Sequence, residues 1–295
     1  MNALRIADAL SRDTRHLVQA LVLSATEARI EVQMLMGAGL QVQRAYLLAH
    51  PEEVMPPQQA ARYQGFIERR LGGEPIAYIL GEKEFFSLVF KVSPAVLIPR
   101  PETELLVELA LSHSPANTPC QVLDLGTGSG AIAIAIAKQR PHAEIVAAEK
   151  SLEALAIARE NAFQLKVRNV RFLQGDWYNG LDCQEFDIIV SNPPYICAGD
   201  PHLQQGDLRF EPLNALASGE RGLDAIRSII EGAGMHLRQH GWLLFEHGYN
   251  QASSCENLLR EFGFNEVVQY PDLAGLPRLI AGRLDISPKL SNNLT

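Results

Sequence analysis

The stretch that decides the fold is QVLDLGTGSGAIAIAIAKQRPHAEIVAAE, residues 121–149. It opens with a short apolar run at 121–125, turns through a glycine-rich segment, and continues with a helical pattern over 129–139. A second apolar run at 144–148 ends at Glu149. A strand, a helix and a second strand in this order predict a parallel unit with a right-handed crossover.

The same alternation continues through the rest of the chain. Further strands are predicted near 170–174, 187–191, 241–245, 265–270 and 277–284, and further helices near 151–165, 222–239 and 249–262. We therefore expect residues 101–285 to form an α/β domain with a doubly wound, mostly parallel sheet of seven strands. Such a sheet binds its ligands at the carboxyl ends of its strands, so the residues after each strand are the candidate site residues.

The chain before residue 101 has a different character. Residues 1–75 predict a helical bundle with one helix over 3–22 and a second from the Ser24–Glu27 capping box to about Met36, where Gly37 and Gly39 end it. A third helix is predicted over 42–49, and a fourth follows Pro56 and Pro57 and ends at Gly72 and Gly73. We interpret this bundle as a module that positions a protein substrate, with a purely structural cap as the alternative. Residues 76–100 predict a β-hairpin linker, and the last ten residues, 286–295, predict a loose tail.

Composition limits the possible partners. The net charge of −8 argues against broad attraction to nucleic acid, and the sequence has neither a long apolar span nor a secretory pattern near its N-terminus. The four cysteines are scattered, which is typical of reduced thiols in the cytoplasm. We therefore expect a cytoplasmic monomer with no direct nucleic acid partner, no membrane association and no metal site.

Two loops predict a ligand that contains a ribose. Alternating glycines at Gly126, Gly128 and Gly130 let the backbone approach a ligand closely, and the helix that follows offers free N–H groups. Glu149 lies 25 residues after Asp124, where a carboxylate can accept hydrogen bonds from both ribose hydroxyls. On these two loops alone, a plain turn or a dinucleotide-dependent dehydrogenase remains open.

The next two loops narrow the choice. After the third strand, Asp176 can accept from an adenine amino group and Trp177 can form a flat apolar wall, although a surface turn is the alternative. After the fourth strand comes Asn192-Pro193-Pro194-Tyr195, in which two prolines stiffen the chain. The Asn192 side-chain oxygen and the Pro193 carbonyl can together accept both hydrogens of a planar NH2 group, with Tyr195 over its plane. This pattern predicts chemistry on an amide or amine nitrogen.

The series DLGTGSG, Glu149, GDW and NPPY resembles the class I S-adenosylmethionine-dependent methyltransferases, and NPPY resembles their amino-methylating members. The segment ILGEKEFFSLVFKVSPAVLIPRPETE, residues 79–104, resembles protein-glutamine N5-methyltransferases. The segment 200–216 and the helical N-terminal region resemble the HemK/PrmC branch, which modifies peptide chain release factors. The resemblance extends over about residues 20–284.

The resemblance implies a role for each motif. S-adenosylmethionine would be the cofactor and S-adenosylhomocysteine the product, with the methionine end of the cofactor against Gly126, Thr127, Gly128, Ser129 and Gly130. Glu149 would bind the ribose and Trp177 would lie near the adenine. Asn192 would lie beside both cofactor and substrate, and the rest of the NPPY motif, Pro193, Pro194 and Tyr195, would complete a pocket for the glutamine of a Gly-Gly-Gln loop. Relatives usually have Asp where this chain has Glu149, and we expect the longer carboxylate to serve the same purpose.

Three other interpretations stay open at this stage. A sister enzyme methylates a glutamine of a large-subunit ribosomal protein, and an adenine-N6 methyltransferase for DNA or RNA could use the same NPPY motif. A non-catalytic cofactor-binding module is the third. Arg100 and the pair Arg209 and Glu211 could form the rim of the substrate site or a structural salt bridge.

Overall fold

The computed structural model describes residues 4–285, so the predicted tail at 286–295 lies outside the described residues. Within them the chain forms two compact units. One unit contains residues 4–82 together with His202–Phe210, and the other contains residues 83–201 and 211–285. No helix among residues 4–285 has the length and apolar character needed to cross a membrane.

The first unit is helical. Its helices are α1 Ile6–Leu21, α2 Ala25–Leu40, α3 Arg44–Ala49, α4 Pro57–Leu71 and α5 Ile76–Leu80. The predicted capping box begins α2, because the Ser24 hydroxyl accepts from the Glu27 N–H at 3.2 Å and the Glu27 carboxylate accepts from the Ser24 N–H at 2.9 Å. Apolar side chains from all five helices form one core, in which Leu17, Met36 and Tyr63 are fully buried.

The predicted end of α2 at Met36 was wrong. The helix continues to Leu40, and Gly37 and Gly39 lie inside it. A Cβ on Gly39 would stand 2.8 Å from the Cβ of Tyr63 on α4. The glycine therefore allows α2 and α4 to pack closely, and the left-handed residue that ends the helix is Gln41, with φ of 60°.

The second unit is an α/β domain with helices on a large sheet. Its helices are α6 Glu104–His113, α7 Ala131–Gln139, α8 Leu152–Gln164, α9 Asp224–His236 and α10 Ala252–Glu261, and the strands of its large sheet are β3 Cys120–Leu125, β4 Ala143–Glu149, β5 Val170–Gln174, β6 Phe186–Ser191, β7 Leu237–Glu246, β8 Phe264–Pro271 and β9 Pro277–Leu284. A separate hairpin of β1 Glu82–Phe85 and β2 Leu88–Lys91 precedes them.

The seven strands lie in the order β5-β4-β3-β6-β7-β9-β8. The pairs from β5 to β7 are parallel, and β9 pairs antiparallel with both β7 and β8. The predicted α/β class and mostly parallel seven-stranded sheet are confirmed. The strand order reverses between β3 and β6, because the chain runs from β3 toward β5 on one side and from β6 toward β7 on the other. The loops that leave these two strands in opposite directions form a crevice at their carboxyl ends, where sheets of this kind bind ligands.

Two predicted boundaries need correction. Helix α7 begins at Ala131 rather than 129, because Gly130 caps it with φ of 83°, a value that a helix interior excludes. Helix α9 ends at His236 rather than 239, because Leu237 already pairs with Phe186 as the first residue of β7.

Candidate active site

A cavity of about 430 Å³ opens at the carboxyl edge of the sheet, within the second unit. This volume lies in the range typical of sites for small organic ligands. The cavity collects residues from the loops after four strands, namely Gly126, Thr127, Gly128, Ser129, Glu149, Asp176, Trp177, Asn192, Pro193 and Pro194. Two sequence-predicted residues do not line it: Gly130 caps α7, and Tyr195 points elsewhere.

Asp124, near the end of β3, supports residues 126–130, which we call the glycine loop. This buried carboxylate accepts from the Thr127 hydroxyl at 2.5 Å and from the Ala133 N–H at 3.2 Å. Burial raises the pKa of Asp124 to about 7, against the effect of those two donors. The side chain of Thr127 is thereby committed to the loop itself, and the loop presents mainly backbone to the cavity.

Each glycine in the loop has positive φ, which disfavours a side chain, but the surroundings of Gly130 and Gly128 differ. A Cβ on Gly130 would lie 2.9 Å from Ile134 Cδ1 and 3.2 Å from the Cβ of Ala158, so this glycine allows α7 and α8 to approach. A Cβ on Gly128 would meet nothing within 4 Å, so this residue leaves the cavity open.

Asn161 supports the loop from α8, and sequence reasoning missed it. Its side-chain amide donates to the Ser129 carbonyl at 2.8 Å and to the Lys91 carbonyl at 3.0 Å, while its oxygen accepts from the Lys91 N–H at 2.7 Å. One buried side chain therefore joins the glycine loop to the hairpin strand β2. An asparagine inside a helix carries no sequence signal for such a long-range bond.

Glu149 is the last residue of β4, and its carboxylate accepts hydrogen bonds from two backbone N–H groups. One oxygen accepts from the Gly128 N–H and the other from the Ser151 N–H, both at 2.9 Å. Ser151 in turn caps α8 through its side chain, which accepts from the Ala154 N–H. Glu149 thus fixes the glycine loop relative to the start of α8, and its remaining lone pairs are available to a ligand.

Asp176 and Trp177 form another part of the cavity wall. Asp176 accepts from the Lys150 ammonium at 2.7 Å in a largely exposed ion pair. Trp177 has φ of 54°, and its ring would lie 3.5 Å from a Cβ on Gly126. The indole therefore lies within van der Waals distance of the loop at the Cβ position of Gly126.

Asn192 is joined to a buried hydrogen-bond network. Its side-chain Nδ2 donates to Thr103 Oγ1 at 3.0 Å, and the Thr103 hydroxyl lies 2.6 Å from Glu246 Oε2. The Tyr195 hydroxyl donates to the other Glu246 oxygen at 2.9 Å. Burial raises the pKa of Glu246, whereas the two hydroxyls and the charge of Arg278 act in the opposite direction.

Sequence reasoning missed Thr103 and Glu246. Glu246 is the last residue of β7, so the strand-end rule that selected Glu149 could have found it. Thr103 gives no such signal, because it lies 89 residues before Asn192 and only the fold brings the two together.

Two further contacts hold the backbone of the NPPY segment at the Tyr195 carbonyl. Gln251 Nε2 donates to the Tyr195 carbonyl at 3.0 Å. Gly222 approaches the same carbonyl so closely that a Cβ there would stand 2.1 Å from the oxygen. These contacts restrict the position of the backbone immediately after Pro194.

The predicted rim residues separate into two groups. Glu211 pairs with Arg100 and accepts from the Ile98 N–H at 3.0 Å, and Pro212 next to it lines the cavity. Arg209 instead lies in the first unit, where its guanidinium donates to the Gly72 carbonyl at 3.0 Å and stacks on Phe210. Across residues 4–285, the structure contains no group of three or more His, Cys, Asp or Glu side chains that could hold a metal.

The fold is that of a class I methyltransferase. Residues 102–205 match the methyltransferase small domain, and residues 14–81 match the PrmC N-terminal domain. A 16S rRNA methyltransferase from T. thermophilus, solved with AdoMet and guanosine, shares the fold with a TM-score of 0.51 and 22% identity over 69% of this chain and 49% of its own.

More similar sequences narrow the class. A release factor glutamine methyltransferase from Coxiella burnetii is 46% identical over 92% of this chain and 97% of its own length. Its counterpart from Salmonella typhimurium is 45% identical over 87% of this chain and 91% of its own. The chain therefore belongs to the family of release factor glutamine methyltransferases, and it is a methyltransferase.

Proposed function

We propose that this enzyme transfers a methyl group from S-adenosylmethionine to the side-chain amide nitrogen, N5, of the glutamine in the Gly-Gly-Gln motif of peptide chain release factors. The observation that carries the proposal is a single cavity that contains the glycine loop, Glu149 and Asn192-Pro193-Pro194 together. Family membership over most of the chain supports the choice of substrate.

The cavity residues fit the cofactor. A carboxylate offers about four acceptor positions, and Glu149 gives two of them to backbone N–H groups. Two positions remain for the two hydroxyls of a ribose. Gly128 would leave room for the methionine end, Asp176 would accept from the adenine amino group, and Trp177 would supply the apolar wall beside it.

The amide nitrogen of glutamine is a poor nucleophile, because its lone pair is delocalised into the carbonyl. Bound in this cavity, S-adenosylmethionine would supply an electrophilic methyl on a sulfonium, with S-adenosylhomocysteine as the product. Asn192 Oδ1 and the Pro193 carbonyl accept the two hydrogens of the substrate NH2 group and direct its nitrogen toward that methyl. These acceptors strengthen as positive charge develops on nitrogen, so they favour the transition state, and the proton then leaves to water.

Tyr195 would act from behind this pocket rather than over the substrate plane. Its hydroxyl is bonded to Glu246, and burial raises its pKa far above the ordinary tyrosine value. The phenol therefore stays protonated and keeps donating to Glu246. Its contribution would be to hold the segment that begins at Asn192.

The Glu149→Gln variant should bind S-adenosylmethionine about 10- to 100-fold more weakly, measured by isothermal titration calorimetry. The amide NH2 group would face the N–H of Gly128 or of Ser151, and it would offer fewer acceptor positions to the ribose. Glu144→Gln is the matched control, because Glu144 lies on the same strand, is exposed and bonds only the Gln121 side chain among the contacts described. Equal affinity in both variants would contradict the assignment of Glu149.

Two other substrates were open from the sequence. A large-subunit ribosomal protein would use the same amide chemistry, but the curated relatives described above are named for release factors and residues 14–81 match the PrmC N-terminal domain. An adenine amine in nucleic acid is disfavoured by the net charge of −8. We accordingly propose a cytoplasmic monomer whose partner is a release factor rather than nucleic acid.

The deciding experiment incubates the purified enzyme with S-adenosylmethionine and unmethylated release factor, followed by peptide mass spectrometry. The expected result is one added methyl on the glutamine of Gly-Gly-Gln. Parallel incubations with large-subunit ribosomal proteins and with adenine-containing nucleic acid should show no transfer. Transfer to one of those substrates and none to the release factor would overturn the proposed substrate.

A further inference from the structure

A carboxylate lies buried behind the substrate side of the cavity. Glu246 is 3% exposed, does not line the cavity, and accepts hydrogen bonds from Thr103 and Tyr195. Burying a charge is costly unless it is paired or hydrogen-bonded. The hydrogen bonds described for its side chain come from Thr103, which lines the cavity, and from Tyr195, the last residue of NPPY. The polar group that is unfavourable to bury therefore lies directly beside the candidate active site.

Thr103 is not explained by its place in the helix. It occupies the N-cap position of α6, where a threonine hydroxyl ordinarily accepts from a backbone N–H of the first turn. No such capping bond is present, and the hydroxyl bonds Glu246 and Asn192 instead. Helix capping therefore does not account for a threonine here.

The hydrogen bonds from Asn192 to Thr103 and from Thr103 to Glu246 determine the orientation of the Asn192 amide. The Thr103 hydroxyl donates its single hydrogen to Glu246 Oε2, while the other oxygen of Glu246 accepts from the Tyr195 hydroxyl. The lone pairs of the Thr103 hydroxyl then accept from Nδ2 of Asn192. A flipped Asn192 amide would place two acceptor oxygens against each other, so the network selects one of two orientations.

We propose that Thr103 and Glu246 are positioning residues that hold the Asn192 amide with Oδ1 available to accept a hydrogen of the substrate NH2 group. The inference rests on the proposed function, because it assigns a task within the same reaction. Without this network, Asn192 could present its NH2 group, which would repel the NH2 of the substrate. Tyr195 completes the network by occupying the second oxygen of Glu246.

The activity test uses nearly isosteric variants. Thr103→Val removes the hydroxyl, and Glu246→Gln replaces an acceptor oxygen with a donor. Each should lower kcat for release factor methylation about 10- to 100-fold, with cofactor Kd changed less than about twofold. Thr103→Ser keeps the hydroxyl and should recover most of the lost kcat. Ser114→Ala removes a buried hydroxyl near the other end of α6 and is the control for a merely structural effect.

A second readout needs neither substrate nor turnover. In protein labelled with 15N-asparagine, the side-chain NH2 signal of Asn192 is identified by its loss in Asn192→Ala. In the wild type its hydrogens should exchange slowly with solvent, and in Thr103→Val exchange should accelerate about 10-fold or more, since the hydrogen bond to Thr103 is gone. Thr103→Ser should exchange like the wild type.

The two readouts separate the inference from the substrate assignment. If the release factor is not methylated but the Asn192 signal responds as expected, the proposed function fails and the orientation of Asn192 stands. If Thr103→Val and Glu246→Gln lower the melting temperature while kcat stays at the level of Ser114→Ala, the residues are only structural and the inference is overturned. Unchanged exchange in Thr103→Val would overturn it as well.

Discussion

Replacing Asn192 with alanine is expected to abolish measurable methyl transfer, a loss of at least about 10³-fold in kcat. The Asn192 side chain lines the cavity next to Pro193 and offers an acceptor oxygen there. A hydrogen bond from its Nδ2 to Thr103 sets the orientation of the amide. Alanine removes the acceptor, so the substrate NH2 group loses both its alignment and a partner for its developing charge.

Cofactor affinity should change little in the same variant. The groups proposed to bind the ribose and methionine end, Glu149 and the glycine loop, keep their own hydrogen bonds through Gly128 and Ser151. Methylation is measured by mass spectrometry and cofactor Kd by calorimetry, with the exposed Asn257 on α10 changed to alanine as the control. Near-normal turnover in Asn192→Ala would contradict the proposed mechanism, and loss of cofactor binding would reassign Asn192 to that task.

The sequence predicted the parts of the site that follow a local rule. Glu149 ends β4, Asp176 lies two residues after β5 and Asn192 follows β6 directly, so the strand pattern placed them at one edge of the sheet. Glu246 obeys the same rule at the end of β7 and was missed because a lone acid at a strand end has no distinctive neighbours in the sequence. The family resemblance supplied the substrate, which no spacing of residues could have indicated.

Long-range contacts account for what sequence reasoning could not predict. Thr103 and Asn161 look like ordinary helix residues, and only the folded chain brings them to Asn192 and to the Ser129 carbonyl. Gly39 shows the converse, since a residue that breaks isolated helices is retained in α2 for close packing against Tyr63. Local propensity predicts where helices form, but tertiary packing decides where they end.

The helical unit depends strongly on Arg70. Its guanidinium is 5% exposed and pairs with both oxygens of Glu31 at 2.8 and 3.0 Å and with Asp207 at 2.8 Å. It also donates to the backbone carbonyls of Gly73 and Glu74. A single side chain thus joins α2 and α4 to the segment His202–Phe210, in which Asp207 lies 137 residues after Arg70 in the chain.

Arg70→Met should destabilise this unit by about 3 kcal/mol, since it keeps the aliphatic volume and leaves Glu31 and Asp207 without their shared cation. The loss lies at the lower end of the range for a broken buried pair, because the Glu31 and Asp207 side chains are 19% and 46% exposed and solvent screens their charges. Faster hydrogen exchange should appear in α2, α4 and residues 202–210. Cofactor affinity should be retained, because every residue lining the cavity belongs to the other unit.

Arg5→Met provides the matched control for Arg70→Met. Arg5 pairs with Glu52 at 2.9 Å, but the two side chains are 56% and 76% exposed. Solvent screens such a pair, so the expected loss is below about 1 kcal/mol. Equal exchange rates in the two variants would mean that the buried ion pairs of Arg70 add no more stability than a surface pair, and that apolar packing of α2 on α4 alone maintains the unit.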